Sequence, residues 1–304
     1  IRTPLGTEMV QGFASVLSAQ SLFPVLSPDE MAGHYTESDV ARAVRQGFLT
    51  GEDGAWSLIS ARVADIKEYQ SAFEQINGPG HSVTFTDISD VIAEFIAFEW
   101  RADDSPFDQY LRTGEPLPKA ANLGMSLFYG KAQCSTCHAG QFQTDHDFHA
   151  IALPQVGPGK SARFETHARD EGRLRVTGNP ADAYKFRTPS LRNIAQTAPY
   201  GHNGAYATLE AMIHHHLDPV ASLKAYNVAQ LVLPDLPNSQ DFRATHDPDE
   251  QAAIAAANEL SPSNLSETEI MQIVVFLNAL SDTASLAGKL GVPQTVPSGL
   301  SVDQ

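Results

Sequence analysis

Cysteine is nearly absent from this sequence. Two cysteines occur in 304 residues, and both lie in the stretch QCSTCHAGQ at 133–141. A framework of structural disulfides is excluded, because such a framework needs several cysteines spread along the chain. Long apolar runs are also missing, and the best, IMQIVVFLNAL at 270–280, is too short to span a bilayer. We therefore predict a globular chain without a transmembrane helix.

Basic residues are scarce. Lysine and arginine number 20 against 36 aspartates and glutamates, so the formal net charge is −16 at pH 7. Nucleic acid is excluded as the expected partner, because a polyanion would be repelled rather than release counterions on binding. An anionic membrane surface is disfavoured for the same reason. A basic protein would be attracted, although the acidity alone also keeps the chain soluble.

Sustained strand-like alternation is missing as well, which favours an all-α fold with long loops. Apolar residues recur at helical spacing in 86–101 and in 266–281, and the second segment opens with the capping-box sequence SETE. A short helix at 119–130 leads into the cysteines. The stretch 139–207 is rich in Gly, Pro, Asn and Thr, and we expect it to be a loop that wraps around something.

The cysteines form a CxxCH motif. Cys134 and Cys137 are separated by two residues, and His138 follows directly. This spacing places two thiols on one helical turn, where each can add across a vinyl group of haem to form a thioether. The histidine then reaches the iron from the proximal side. The motif is typical of c-type haem attachment, which takes place outside the cytoplasm, and it indicates a periplasmic or otherwise exported protein.

Two other uses of a cysteine pair fit this motif less well. A zinc site needs two more ligands at regular spacing, usually a second CxxC or an HxxxH, and the sequence has no second cysteine pair. A redox-active CxxC is expected in a βαβ context, and no such pattern is present.

The iron then has either a sixth ligand or an open face. A run of three of the eleven histidines follows Thr208, the expected N-cap of a helix, in TLEAMIHHHLDP. His214, His215 and His216 point about 100° apart on a helix, so at most one or two can face a cofactor. A solvated polar face is the plainer interpretation of the run. Nearby tyrosines and three methionines are further candidates: Met125, Met212 and Met271.

A resemblance to a known family rests on CxxCH together with TDHDFHAIALP at 144–154 and FRTPSLRNIAQTAPYGHNGAYATLEAMIHHH at 186–216. These motifs are similar to those of the C-terminal haem domain of the bacterial di-haem cytochrome c peroxidase family. That family includes the MauG branch, which matures methylamine dehydrogenase. The resemblance extends from SAQSLFPVLSPDEMAG at 18–33 to the last helix.

The resemblance implies a ligand set for the haem in this chain. In the family the sixth ligand lies eight residues after the Thr of TLE and is Met in peroxidases or Tyr in the MauG branch. Here that position is His216, so we expect bis-histidine ligation by His138 and His216. Such a haem has no open site and would carry electrons at a lower potential than a Met/His haem. Arg192 could pair with a haem propionate or be a plain surface arginine.

The family also holds a calcium ion between its two haem domains, with two backbone carbonyls from a T-x-P sequence. The resemblance assigns these to Thr197 and Pro199, since carbonyl oxygens suit calcium. A simple turn is the alternative.

Peroxide chemistry in the family occurs at another haem, which is bound by an earlier CxxCH that this sequence lacks. The distal side of that pocket nevertheless resembles the family's: Gln20 and Glu30 keep its ten-residue spacing. Glu30 could move a proton between the peroxide oxygens, and Gln20 could orient the peroxide. We therefore expect that an upstream segment carrying the second haem was cleaved, forms another chain or was not recorded. Loss of that haem is the alternative.

Four parts follow from the resemblance. Residues 1–102 would be the remainder of an N-terminal, peroxidatic cytochrome c-like domain, and 103–118, rich in turn formers, a linker. Residues 119–285 would be the C-terminal cytochrome c-like haem domain, and 286–304 an irregular tail. The predicted fold is thus all-α, in a two-domain di-haem architecture without its first haem segment.

Three functions remain open. The first is a periplasmic peroxidase that reduces hydrogen peroxide with electrons from a small cytochrome c or cupredoxin, received through the bis-histidine haem. The second is a MauG-like enzyme that oxidises a protein. The third is a mono-haem electron carrier or cytochrome subunit, which is not an enzyme. The family places a Trp where Val10 stands here, which weakens a tryptophan-mediated path. A homodimer is also implied.

Overall fold

The computed structural model describes residues 6, 9–157, 167, 169–231 and 240–302. The chain divides into two compact units. Unit 1 comprises Ile1–Arg101 together with Ala287–Gln304, and unit 2 comprises Ala102–Leu286. The sequence placed the last residues in a tail of their own, whereas their contacts group them with unit 1.

The regular secondary structure in the described part of unit 1 is all helical. Its helices are α1 Val16–Gln20, α2 Asp39–Gln46, α3 Ala55–Ala64, α4 Lys67–Asn77 and α5 Phe85–Glu99. The core gathers around Trp56, which is 2% exposed and packs with Leu22 and Phe85. The indole Nε1–H of Trp56 donates to the Leu22 carbonyl at 3.2 Å, so the buried polar atom of this large ring is satisfied.

A buried carboxylate holds the C-terminal segment to unit 1. Glu99, 3% exposed, accepts from the backbone N–H of Leu290 at 2.7 Å and of Gly291 at 3.1 Å. Burial alone would raise the pKa of Glu99, but these amides outweigh it and hold the pKa below its usual value. The otherwise irregular tail is therefore tied to the end of α5.

Unit 2 is also helical. Its helices are α6 Pro106–Thr113, α7 Lys119–Tyr129, α8 Leu174–Thr177, α9 Leu209–Leu217, α10 Pro219–Lys224, α11 Pro248–Ala257, α12 Glu267–Asn278 and α13 Thr283–Ala287. Within the described ranges one two-stranded antiparallel ladder is present, in which β1 Phe148–His149 pairs with β2 Phe186–Arg187. The all-α prediction is confirmed, and much of 139–207 is loop.

The helix starts follow the sequence in two of three cases. Helix α12 has the predicted capping box, with Glu269 N–H donating to Ser266 Oγ at 3.3 Å and Ser266 N–H to Glu269 at 2.8 Å. Thr208 caps α9 as predicted. Helix α5 begins earlier than expected, because Thr84 is its N-cap and Asp87 completes a capping box from inside the helix.

The segment predicted as a linker, 103–118, contains helix α6 and is part of the core. Ser105 caps this helix, Pro106 occupies its first position, and Asp108 closes a capping box. Phe107 is 4% exposed and packs edge-on against Phe276 at 5.3 Å between ring centroids. The Pro and Asp that suggested a turn are instead helix-start residues.

No helix among the described residues combines the length and apolarity needed to cross a bilayer.

Helices α7 and α12 make the closest helix contact in unit 2, at Gly124. A Cβ atom on Gly124 would lie 1.9 Å from the carbonyl oxygen of Gln272 and 2.9 Å from Cβ of Phe276. Only glycine permits this approach of the two backbones. The same contact zone holds the buried side chains of the unit's main core, including Phe128, Ile273 and Phe276.

We predict that Gly124→Ala destabilises unit 2 by about 3 kcal/mol, the upper part of the usual range for overpacking, because a methyl group would meet rigid backbone. Urea unfolding followed by far-UV circular dichroism measures the change. Ser126→Ala on the exposed side of α7 is the matched control and should stay within about 0.5 kcal/mol of the parent. Equal stability of the two variants would contradict the close approach.

Candidate haem site

The CxxCH motif forms a tight turn directly after α7. A 3-10 turn spans Cys134–Thr136, and the His138 N–H donates to the Cys134 carbonyl at 2.9 Å. Cys134 packs against the α7–α12 core. The motif is thus built directly onto the main core of unit 2.

Both thiols are half-buried and unlinked to each other. Burial raises the pKa of Cys134 to about 11. Burial also raises the pKa of Cys137, and the charges of Asp145 and Glu259 add to the effect. Reactive cysteines have a lowered pKa, so this environment argues against the redox interpretation.

The tautomer of His138 is set by a backbone carbonyl. Its Nδ1 lies 3.2 Å from the oxygen of Gln143, and because a carbonyl only accepts, Nδ1 carries the proton. The other nitrogen, Nε2, keeps its lone pair for a metal. Burial first, and then the charge of His216, lower the pKa of His138 to about 4. His138 is therefore a neutral imidazole with one nitrogen available.

The three consecutive histidines of α9 have three different environments. His214 is exposed and lies 3.5 Å from Glu267. His215 is fully buried, with Nε2 2.7 Å from the Ile151 carbonyl and Nδ1 2.8 Å from the hydroxyl of Tyr206. Since both ring nitrogens of His215 are hydrogen bonded, this residue has no lone pair left for a metal.

His216 has the same arrangement as His138. Its Nδ1 lies 2.8 Å from the carbonyl of Met212, so Nε2 is again the nitrogen with the lone pair. Burial lowers the pKa of His216, and its effect on the pKa of His138 shows that the two rings are electrostatically coupled. These two imidazoles and the two thiols form a donor set that fits haem c.

The methionine candidates are placed less favourably. Met212 packs with Tyr200 and Tyr206 in a separate apolar cluster. Met125 packs against the α7–α12 core, and Met271 is exposed.

Arg192 is used in a way that the sequence did not predict. Its guanidinium forms a double hydrogen bond with Asp108, both at 2.9 Å, and also donates to the carbonyls of Ala102 and Gln141. All five N–H groups are thereby engaged, so the structure does not support the predicted contact with a propionate. Burial would raise the pKa of Asp108, but hydrogen bonds from Arg192 and Ser105 hold it below its usual value.

The predicted calcium ligands are exposed. Thr197 and Pro199 both lie at the surface, and within the described part of the chain no hydrogen bond to either carbonyl oxygen is formed. The Thr197 hydroxyl donates to the Ile194 carbonyl at 3.2 Å. Both oxygens therefore remain available to a cation.

The predicted peroxide residues lie in unit 1. Gln20 is the last residue of α1, and Glu30 lies in a turn where its N–H donates to the Ser27 carbonyl at 3.2 Å. Both side chains are exposed. The described structure thus leaves both polar groups accessible.

A charged cluster beside Cys137 was missed by the sequence analysis. His149 Nε2 lies 2.8 Å from an Asp145 carboxylate oxygen, and Lys185 reaches Glu259 at 2.5 Å. His149 also lies 3.6 Å from Glu259. The i, i+4 spacing of Asp145 and His149 was visible in TDHDFH, but the contacts to Lys185 and Glu259 depend on the tertiary fold.

Comparison with known proteins finds relatives over much of the chain. The family model described as di-haem cytochrome c peroxidase matches residues 5–115. The cytochrome-c peroxidase IdrP1 of Denitromonas iodatirespirans is 29% identical over 84% of this chain and 65% of its own length. The methylamine utilization protein MauG of Methylorubrum extorquens is 28% identical over 68% of this chain and 50% of its own length. These matches support the di-haem cytochrome c peroxidase and MauG family for this chain.

A solved structure extends the comparison. The crystal structure of a MauG-like protein associated with microbial copper homeostasis has a TM-score of 0.54 and 27% identity. The match covers 80% of this chain and 69% of that one. It supports the all-α, cytochrome c-like fold, and the di-haem cytochrome c peroxidase and MauG family implies haem c as the cofactor. The chain spans 65% of the length of IdrP1 and 50% of MauG.

Acidification should destabilise the protein through His215. The pKa of this residue is about 4 in the folded chain, mainly because of burial, and near 6.5 when unfolded. The contribution is complete above about pH 6.5 and is lost as the pH falls towards 4, at most about 3 kcal/mol. Urea unfolding across this range should show a smaller pH slope for His215→Asn.

The exposed His246 provides the control for this prediction. His246→Asn should keep the parent's pH slope, because this side chain lies at the surface. An unchanged slope in His215→Asn would show that the buried ring is not the source.

Proposed function

We propose that unit 2 is a c-type haem domain in which Cys134 and Cys137 would hold the porphyrin and His138 and His216 would bind its iron. The observation that carries the proposal is the shared arrangement of the two imidazoles. Each donates Nδ1–H to a backbone carbonyl and keeps Nε2 free. Neighbouring His215 has both nitrogens engaged.

When bound, the haem supplies one-electron chemistry at its iron. The chain's own residues contribute the rest. Gln143 and Met212 orient the two imidazoles through their carbonyls, and burial keeps His138 neutral, so a proton does not compete for Nε2. The half-buried thiols next to His138 provide the covalent attachment.

For the whole protein we propose hydrogen peroxide reduction. Relatives named cytochrome-c peroxidase support this activity, and the family model covers the segment that holds Gln20 and Glu30. Glu30 would take a proton from one peroxide oxygen and return it to the other, and Gln20 would orient the peroxide. A second haem on an upstream segment belongs to this proposal.

The electron donor is proposed to be a small basic protein, either a cytochrome c or a cupredoxin. The net charge of −16 supports this partner, because opposite charge speeds encounter. We also propose a periplasmic location, because covalent haem attachment takes place outside the cytoplasm. Because members of the family tend to dimerise, we propose a homodimer as well.

A MauG-like oxidation of a protein is the second candidate. The relative named MauG, at 28% identity, favours it, whereas Val10 at the family's tryptophan position argues against it. Calcium at Thr197 and Pro199 remains part of either proposal, and the exposed carbonyls support it. If the protein does not react with peroxide, the remaining proposal is a mono-haem electron carrier.

We predict that the purified native protein contains covalent haem and that His216→Ala removes its bis-histidine signal. Pyridine haemochrome assay with intact mass counts the haems, and near-infrared magnetic circular dichroism identifies the ligands. His214→Ala is the matched control on the same helix, and its exposed ring should leave the spectrum unchanged. A colourless protein, or an unaltered His216→Ala spectrum, would refute the assignment.

We predict that Glu30→Gln lowers peroxide turnover in the native holoprotein by about 10²- to 10⁴-fold, the range for a general acid–base residue. Turnover is measured with a reduced cytochrome c and peroxide at saturating donor. Glu37→Gln, an exposed glutamate of the same unit, is the control and should keep full activity. Full activity in Glu30→Gln would remove this residue from the peroxide chemistry.

A further inference from the structure

A stretch of unit 2 without regular secondary structure, residues 188–192, runs beside the loop that follows the haem motif, residues 139–144. We call these the clamp segment and the proximal loop. The Ser190 hydroxyl donates to the carbonyl of Phe142 at 2.7 Å, and the Thr144 hydroxyl donates to the carbonyl of Thr188 at 2.7 Å. Residues 188 and 190 of the clamp segment are thereby hydrogen bonded to the proximal loop.

Arg192 adds the third link. Its Nε and Nη2 both donate to the carbonyl of Gln141, at 3.0 and 2.7 Å. The opposite edge of the guanidinium is held by Asp108, and only 14% of the arginine and 8% of the aspartate side chain are exposed. A partly buried guanidinium whose five N–H groups are all hydrogen bonded has little freedom to rotate. Arg192 therefore connects the proximal loop rigidly to helix α6.

The clamp segment is itself fixed to the core. Leu191, between the two linking side chains, is 8% exposed and belongs to the α7–α12 core. At its start, the Thr188 N–H donates to the Asp147 carbonyl at 2.9 Å, next to the β1–β2 ladder. The loop is thus held against a support that is anchored at both ends.

The three links lie on both sides of the residue whose carbonyl oxygen accepts the hydrogen bond from His138. They attach at residues 141, 142 and 144, and residue 143 between them provides the carbonyl that accepts from His138 Nδ1 at 3.2 Å. Gln143 has φ +47° and is 1% exposed, so its peptide has an unusual, packed conformation. The direction of this carbonyl depends on the neighbours that the clamp segment fixes.

We propose that Ser190 and Arg192 are positioning residues for the axial histidine. They hold the Gln143 carbonyl where it accepts from His138 and thereby set the tautomer, ring orientation and basicity of that ligand. The inference rests on the proposed haem ligation. It assigns a role to the TPSLR part of the sequence motif that differs from contact with the porphyrin.

The consequence is electronic. A hydrogen bond from the far nitrogen of a ligating imidazole raises its basicity, which stabilises the oxidised metal. Weakening this bond should therefore favour reduction of the iron and raise the reduction potential, since hydrogen bonding around the ligand is one of the protein's controls on haem.

The test compares Ser190→Ala, Arg192→Gln and the double variant in the holoprotein. Each should keep the parent's haem content and show a positive shift of the potential of the unit 2 haem by spectroelectrochemistry. The ferric low-spin g-values should change in parallel, and the double variant should shift furthest. Ser190→Thr, which keeps the hydroxyl, should restore the parent potential.

Two control variants remove similar bonds elsewhere in unit 2. Ser126→Ala removes a serine hydroxyl that donates to the Asn122 carbonyl at 3.0 Å, and Arg112→Gln removes an exposed arginine paired with Asp104. Both should keep the parent potential.

The outcomes separate the two proposals. Absence of covalent haem in the parent overturns the proposed function and this inference with it. Normal haem with parent potential and g-values in Ser190→Ala and the double variant overturns the inference alone. A haem-free Ser190→Ala variant also overturns it, because the clamp segment would then serve attachment rather than ligand orientation. If Arg192→Gln fails to fold, Ser190→Ala and Ser190→Thr still test the inference.

Discussion

The close contact between α7 and α12 at Gly124 is the constraint on which unit 2 depends. Because the backbones meet without a side chain between them, the direction in which α7 ends is fixed, and the cysteine turn begins only a few residues later. Lys131 reinforces this geometry by reaching Glu269, the capping-box residue of α12, at 2.7 Å. The haem motif is therefore attached to a helix pair rather than displayed on a mobile loop.

The rest of the site is held by a different kind of interaction. Most of the described residues between 139 and 207 lack regular secondary structure, and side chains such as Thr144, Ser190 and Arg192 add to the backbone hydrogen bonds of this stretch. The Asp108–Arg192 pair is the most buried ion pair among the described residues. Removing one partner of such a pair leaves an uncompensated charge and costs about 3–5 kcal/mol. Helix α6, which supplies Asp108, is for this reason part of the site's support.

Local signals in the sequence predicted the parts of the structure that are locally determined. The CxxCH turn, the capping box of α12, the Thr208 cap and the helical class all follow from residues within one or two turns. The segment 103–118 was misread because Pro and Asp favour both turns and helix starts, and only the packing of Phe107 separates the two. The partner of Arg192 lies 84 residues away, a distance at which sequence spacing carries no contact information.

The three histidines of α9 likewise show which features the sequence predicts and which depend on the tertiary fold. Helical geometry predicts three directions for His214, His215 and His216, but it does not say which direction meets which neighbour. Those neighbours come from distant segments: Glu267 beside the first, and the Ile151 carbonyl beside the second. His216 finds its hydrogen-bond partner four residues back on its own helix.

That local partner has a chemical consequence. A ring whose Nδ1 donates to its own helix has its tautomer fixed before any metal is present. His138 reaches the same state through a loop carbonyl five residues ahead. Both rings also have a lowered pKa, so neither must lose a proton to become a ligand at neutral pH. The protein thus prepares both imidazoles through its backbone, and the site's selectivity for a metal over a proton follows from folding itself.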